Sequence, residues 1–180
     1  MENSKINKAA EILYNARIRK KRIIELPKDC IPESIKEAYD IQDELTNKYV
    51  SADKNTLLIG KKIGCTNKAA QVQLNVKESF FGNIFSNNIS KSNCTINSEE
   101  YFSPFIEPEF SFVMKNELDI SRAPYNPEIV FDSVSAVLPS IELVDSRFED
   151  WTIMGVSNLI ADNAVHAHWI YGNEIKNLNN

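Results

Sequence analysis

The stretch PFIEPEFSFVM, residues 104–114, constrains the fold of this chain more than any other. It sets two charges, Glu107 and Glu109, among Phe105, Ile106, Phe110 and Phe112. Side chains alternate across a strand, so residues two apart share a face and the two carboxylates stand side by side. The apolar neighbours predict a strand that is at least partly buried. Glu142 has a similar setting in VLPSIELVDSRF, between Ile141 and Leu143. Buried carboxylates are costly unless they are paired or bound to a cation. If the three converge, a hard divalent cation with oxygen ligands is the natural partner. The competing reading of an isolated Glu-x-Glu is a solvated sheet face.

With 180 residues the chain is long enough for one domain with its own core. Its charge of −5 argues against a nucleic-acid partner. The basic run Arg17, Arg19, Lys20, Lys21 and Arg22 is local and reads as the solvated C-terminal end of a helix. Cys30, Cys65 and Cys94 form no CxxC pair, which suggests neither a zinc site nor a disulfide framework. The N-terminal stretch has no apolar h-region and no segment approaches membrane-spanning length. The expectation is a cytoplasmic protein without a membrane partner.

The pattern predicts a single domain over 1–180, with a helix-rich part at 1–76, a β-rich metal-binding part at 77–172 and a polar tail at 173–180. An amphipathic helix is expected from Ser4 to Ile23, with Ile6, Ala9, Leu13 and Ala16 on its apolar stripe. Pro32, Glu33 and Ser34 open a second helix carrying Ile35, Ala38 and Leu45. Leu57 to Gly64 reads as a short strand, and Thr66 or Asn67 caps a third helix. From Ser79 onward the segments are β-branched or aromatic and broken by Gly, Pro, Asn and Ser. Pro127 begins a short helix, and the stretch from Asp150 to Gly172 holds a short helix followed by a strand. The fold class expected is α+β.

Further residues invite a chemical reading. Of Lys61 and Lys62 only one can face inward from a strand, where it can hold a substrate carboxylate or move a proton. The plainer alternative is a snorkelling surface lysine. Asp145 and Arg147 read as a structural ion pair or turn brace. Asp162 and Asn163 are types that bond the backbone readily. His166 and His168, two apart, can bind a transition metal on a strand, though packing or surface roles fit them better. No phosphate-binding glycine loop, GxSxG elbow or HExxH occurs.

GKKIGCTNKAAQVQLNV, FFGNIF, IEPEFSFVM, VLPSIELVDSRFEDW and ADNA, preceded by AAEILYNAR and IKEAYDIQDEL, follow one another in a recognisable order. From about residue 8 to 172 the chain resembles the 2-oxopent-4-enoate (2-hydroxypentadienoate) hydratases. These are grouped with the 4-oxalocrotonate decarboxylases in the fumarylacetoacetate hydrolase superfamily. The resemblance implies a mixed β-roll with N-terminal helices. It implies Mg²⁺ or Mn²⁺ held by Glu107, Glu109 and Glu142, with Lys62 catalytic and Lys61, Phe81, Asp162 and Asn163 binding substrate. The implied reaction adds water to a 2-oxo-4-enoate, a small 2-oxo acid, through a metal-stabilised enolate. Decarboxylation of a 2-oxo acid and hydrolysis of an acylpyruvate are alternatives on the same centre. The resemblance also implies a homo-oligomer active in aromatic compound catabolism.

Three departures from the family pattern bear on this. Phe80 stands where the family commonly has an acidic residue, Val165 and His166 follow ADNA where the hydratases often have Ser, and the family normally continues beyond this point with closing strands. A further alternative is therefore a non-catalytic paralogue, or one part of a split enzyme whose second chain supplies the C-terminal strands.

Overall fold

A computed structural model describes residues 1–176, so the last four residues of the expected polar tail lie outside the described residues. The helices are α1 (Asn3–Ile18), α2 (Ile35–Ala52), α3 (Lys68–Gln73), α4 (Pro127–Asp132) and α5 (Val156–Ala161). The strands are β1 (Leu58–Gly64), β2 (Phe80–Phe85), β3 (Ile89–Lys91), β4 (Phe105–Met114), β5 (Val134–Val144) and β6 (His166–Tyr171). The class is α+β. Among the described residues no helix is long and apolar enough to cross a membrane.

α1 buries Ala9, Ala10, Leu13 and Ala16, the expected stripe. It ends sooner than expected, because Arg19 caps it and Lys20 turns to a left-handed φ of 50°. The basic run is therefore not one solvated helix end: Arg17 turns inward, 3.4 Å from the Asp145 carboxylate. α2 starts at Ile35, just after the expected Pro32–Ser34 opening, with Ser34 as its N-cap. Ser34 Oγ accepts from Glu37 N at 3.2 Å, and the Glu37 carboxylate accepts from Glu33 N at 2.9 Å. Asn67 caps α3 and Asn126 caps α4, each accepting from a backbone N–H three residues on. The helical core gathers Leu13, Leu26, Ile41, Leu45, Phe148 and Ala161. Gln42 of α2 is fully buried, and its amide donates to Phe81 O at 3.0 Å and to Ile160 O at 2.9 Å. Those bonds tie α2 to β2 and α5.

β1 and β2 form an antiparallel ribbon. The second sheet runs β3-β6-β5-β4, with β3 parallel to β6 and the other pairs antiparallel. β4 lies at its edge, and the expectation that this strand is buried fails. Phe105, Ile106, Phe110 and Phe112 are all exposed. β4 is the edge strand and hydrogen-bonds only to β5, and its apolar side chains are left largely uncovered. Burial is correct for Glu142 alone, which sits on the inner strand β5.

Candidate metal centre

Strand pairing assembles the three glutamates. Glu107 faces Glu142 directly across β4 and β5, and Glu109 faces Ser140. All four side chains share one sheet face. One carboxylate oxygen from each of Glu107, Glu109 and Glu142 lies within 4.8 Å of the other two. Like charges directly across a sheet destabilise it. The cost is visible at Glu109, whose carboxyl, though exposed, is pushed above its ordinary value by partial desolvation and then by the charges of Glu142 and Glu107.

Glu142 is held differently. Burial alone drives its carboxyl upward, but a hydrogen bond with His166 and the charge of Lys62 outweigh that and keep it below its ordinary value. His166 Nδ1 is 2.7 Å from Glu142 Oε1, and Lys62 Nζ is 3.4 Å from the same oxygen. Lys62 reaches across from the ribbon with its side chain only 10% exposed. The arrangement is three hard oxygen donors beside one ammonium, a set that can take a divalent cation and a carboxylate ligand together.

The same sheet face continues past the carboxylates. Trp169 stands opposite Glu142 and Tyr171 opposite Ser140, and the two rings stack at 4.8 Å. Trp169 Nε1 donates to Ser111 Oγ at 3.0 Å, which is 2.7 Å from Ser140 Oγ. Sequence reasoning missed this group. The alternation that paired Glu107 with Glu109 extends to Ser111 and was the available signal. The β6 residues could not be placed without the strand register.

Lys61 and Phe81, expected to bind substrate, lie on the ribbon face opposite Lys62. Lys61 Nζ donates to Asn83 Oδ1 and sits 4.5 Å from the Phe81 ring centroid, which stacks on Tyr39 of α2 at 4.4 Å. Alternation along β1 sends the two lysines to opposite sides. Asp162 and Asn163 also differ from expectation. Asp162 is fully buried and its carboxylate is held by the side chain and backbone N–H of Arg147. Asn163 is buried and exchanges two bonds with the Asn83 backbone, at 2.7 and 2.9 Å. The polar groups of both are spent on the scaffold, because each satisfies a buried partner. Arg147 thus pairs with Asp162 rather than with the Asp145 side chain, which accepts instead from the N–H groups of Phe102 and Ser103.

His166 and His168 do not form a shared site. The β5–β6 register shifts between Leu143 and Val144, which pair with His168 and His166, so Ala167 is an extra residue. A bulge of this kind re-aims side chains. His166 meets Glu142, whereas His168 Nε2 lies 3.0 Å from Ser90 Oγ. Phe80 is buried with Ala38, Ile160 and Ala164, its ring over Gly64.

Comparison with known proteins adds to this geometry. No protein-family profile matches the chain. It is 29% identical over 175 residues to a 2-hydroxypent-2,4-dienoate hydratase of Pseudomonas putida, covering 97% of this chain and 77% of the relative. It is 34% identical over 165 residues to a 2-keto-4-pentenoate hydratase of Paraburkholderia xenovorans, covering 91% of this chain and 59% of that protein. The chain is a homologue of the 2-keto-4-pentenoate hydratases and 4-oxalocrotonate decarboxylases. The fold agrees. A solved 4-oxalocrotonate decarboxylase from Pseudomonas putida G7, complexed with magnesium and adipate, superposes with a TM-score of 0.85 at 24% identity. That match covers 98% of this chain and 65% of the decarboxylase. The homologue described here thus spans only about three-fifths to three-quarters of the length of these relatives.

Proposed function

We propose that this chain is a divalent-metal-dependent lyase that adds water to a 2-oxo-4-enoate of the 2-hydroxypentadienoate type. The observation that carries the reading is the convergence of Glu107, Glu109 and Glu142 within 4.8 Å, with Lys62 beside them. The donor set fits the ion. Three hard carboxylate oxygens suit Mg²⁺ or Mn²⁺ and are poor ligands for softer metals. The raised Glu109 carboxyl marks repulsion that a cation would remove. A bound cation supplies Lewis-acid stabilisation of negative charge on the oxygens of a 2-oxo acid. The hydratase names of the relatives and the magnesium in the solved decarboxylase agree with this.

The chain's own residues take the remaining roles. Lys62 offers an ammonium to the substrate carboxylate and a proton held at Nζ. The Trp169–Tyr171 stack offers an apolar wall to a short alkene tail, and Ser111 and Ser140 offer hydroxyls near the carboxylates. Lys61, Phe81, Asp162 and Asn163 act on this site through the scaffold. We read the four-stranded sheet as part of a fumarylacetoacetate hydrolase-type β-roll, in a cytoplasmic homo-oligomer.

The test is a thermal melt of the 180-residue chain with chelator, with Mg²⁺ or Mn²⁺, and with metal plus oxalate, followed by turnover of 2-hydroxypentadienoate. Ligands that bind only the native state raise the melting temperature by mass action. Stepwise rises and loss of dienoate absorbance support the hydratase. Carbon dioxide release from a 2-oxo acid would shift the reading to a decarboxylase. A cooperative melt indifferent to metal and oxalate would leave a non-catalytic paralogue.

A further inference from the structure

His166 opens β6 with a side chain that has no exposed surface. Its Nδ1 contacts Glu142, yet its Nε2 is buried without a hydrogen-bond partner among the described residues. A buried polar atom left unpaired carries a cost, and an apolar side chain would fill the same space without it. Packing therefore does not account for a histidine here.

The local backbone is organised to deliver this ring. Asn163, Ala164 and Val165, just before it, hold φ values of 55°, 49° and 55°, a left-handed turn that non-glycine residues seldom adopt. The turn is braced through the two Asn163–Asn83 bonds. It also presses on β2, where a Cβ on Gly82 would stand 2.5 Å from Asn163 O. The bulge at Ala167 then turns His166 to the glutamate face while His168 leaves it. A carboxylate only accepts, so the ring nitrogen that faces it, Nδ1, carries the proton.

Both contacts to Glu142, from His166 and from Lys62, fall on Oε1, and Oε2 receives no protein hydrogen bond among the described residues. We propose that His166 is a positioning residue for the metal centre: its Nδ1–H pins Oε1 so that Glu142 presents Oε2 to a divalent cation shared with Glu107 and Glu109. This rests on the reading of the three glutamates as cation ligands. Without the pin, Glu142 is free to turn its second oxygen as well toward Lys62, with which it already pairs through Oε1, and this competes with the cation. Hydrogen-bond partners of metal ligands commonly set affinity in this way.

The experiment is Mn²⁺ titration of the 180-residue chain by calorimetry and by Trp fluorescence, since Trp169 stands opposite Glu142. His166→Leu removes the donor and is expected to weaken Mn²⁺ by about 10–100-fold. His166→Asn, whose amide reaches the Nδ1 position, is expected to restore most of the affinity. His166→Gln, whose amide reaches the Nε2 position, is not, and it serves as the comparison if the Leu variant does not melt cooperatively. A loss of packing alone does not separate Asn from Gln in this order. Leu or Gln variants that bind Mn²⁺ as tightly as the wild type overturn the proposal, as does an Asn variant as weak as Gln. A wild-type chain that binds no Mn²⁺ overturns the glutamate reading as well. A wild type that binds, beside a Glu109→Gln variant that does not, keeps the glutamate reading, and any failure then falls on His166 alone.

Discussion

Glu109 shows how one residue registers the whole site. Its carboxyl is raised by partial desolvation and by the charges of Glu142 and Glu107. The unfolded chain therefore releases this proton at lower pH than the folded one. The group's contribution to stability is full below the ordinary value of 4.5 and is lost as pH rises through the folded value. Glu142 runs the other way: its lowered carboxyl adds stability above the ordinary value, lost as pH falls through the folded one. With chelator present, Glu109→Gln is expected to remove the loss on the rising side and to melt higher than the wild type near neutral pH. With Mn²⁺ the order should reverse. Melting curves across pH, with and without the ion, check both signs, and an unchanged pH profile in the variant contradicts the crowding argument. Lys62 makes a second case. A cation competes with its ammonium for Glu142, so Lys62→Met should keep or tighten Mn²⁺ while lowering kcat by about 10²-fold or more. The pairing of Glu107 with Glu109 was legible from strand alternation alone. The inward turn of Lys62 rather than Lys61 was not legible from alternation, which says that they differ without saying which side meets the second sheet, and only the family resemblance singled out Lys62.

The elements around the site are locked by two contacts that can be broken singly. Gly82 of β2 lies against the 163–165 turn, and a Cβ there would meet a backbone carbonyl at 2.5 Å, which cannot yield as a flexible side chain can. Gly82→Ala is expected to cost about 1–3 kcal/mol in urea unfolding and to weaken Mn²⁺ through displacement of His166. The exit of β5 is fixed by Arg147, which bonds the Asp162 carboxylate and backbone and the Asp145 carbonyl. Removing one partner of a buried ion pair strands the other, so Arg147→Met should cost about 3–5 kcal/mol, measured the same way. The start of α3 was readable because Asn67 caps it through its own side chain, and that of α4 because Pro127 stands at its first turn. The bulge at Ala167 was not readable. Strand register depends on the partner strand, so the His166/His168 pair carried no sign that one would turn to Glu142 and the other to Ser90.

At the scale of the whole molecule, the four-stranded sheet ends in a contradiction between β4's two faces. One face carries Glu107 and Glu109. The other carries Ile106, Phe110 and Phe112, which are 69%, 75% and 61% exposed. Apolar residues of this kind were read from the sequence as burial, and among the described residues nothing covers this face enough to bury them. An edge strand with an open hydrogen-bonding side and an apolar face is a template for association. The 180-residue chain should therefore self-associate at micromolar concentration, with β4 in the contact. Replacing Ile106, Phe110 and Phe112 together by Lys puts like charges on that face and should shift the species in sedimentation velocity towards monomer. The substituted residues point away from the glutamates, so Mn²⁺ binding should survive in the dispersed variant. A wild-type chain that sediments as a monomer at every concentration would show that this face is tolerated in water. A variant that disperses and also loses Mn²⁺ would mean that the cation site draws on the neighbouring copy.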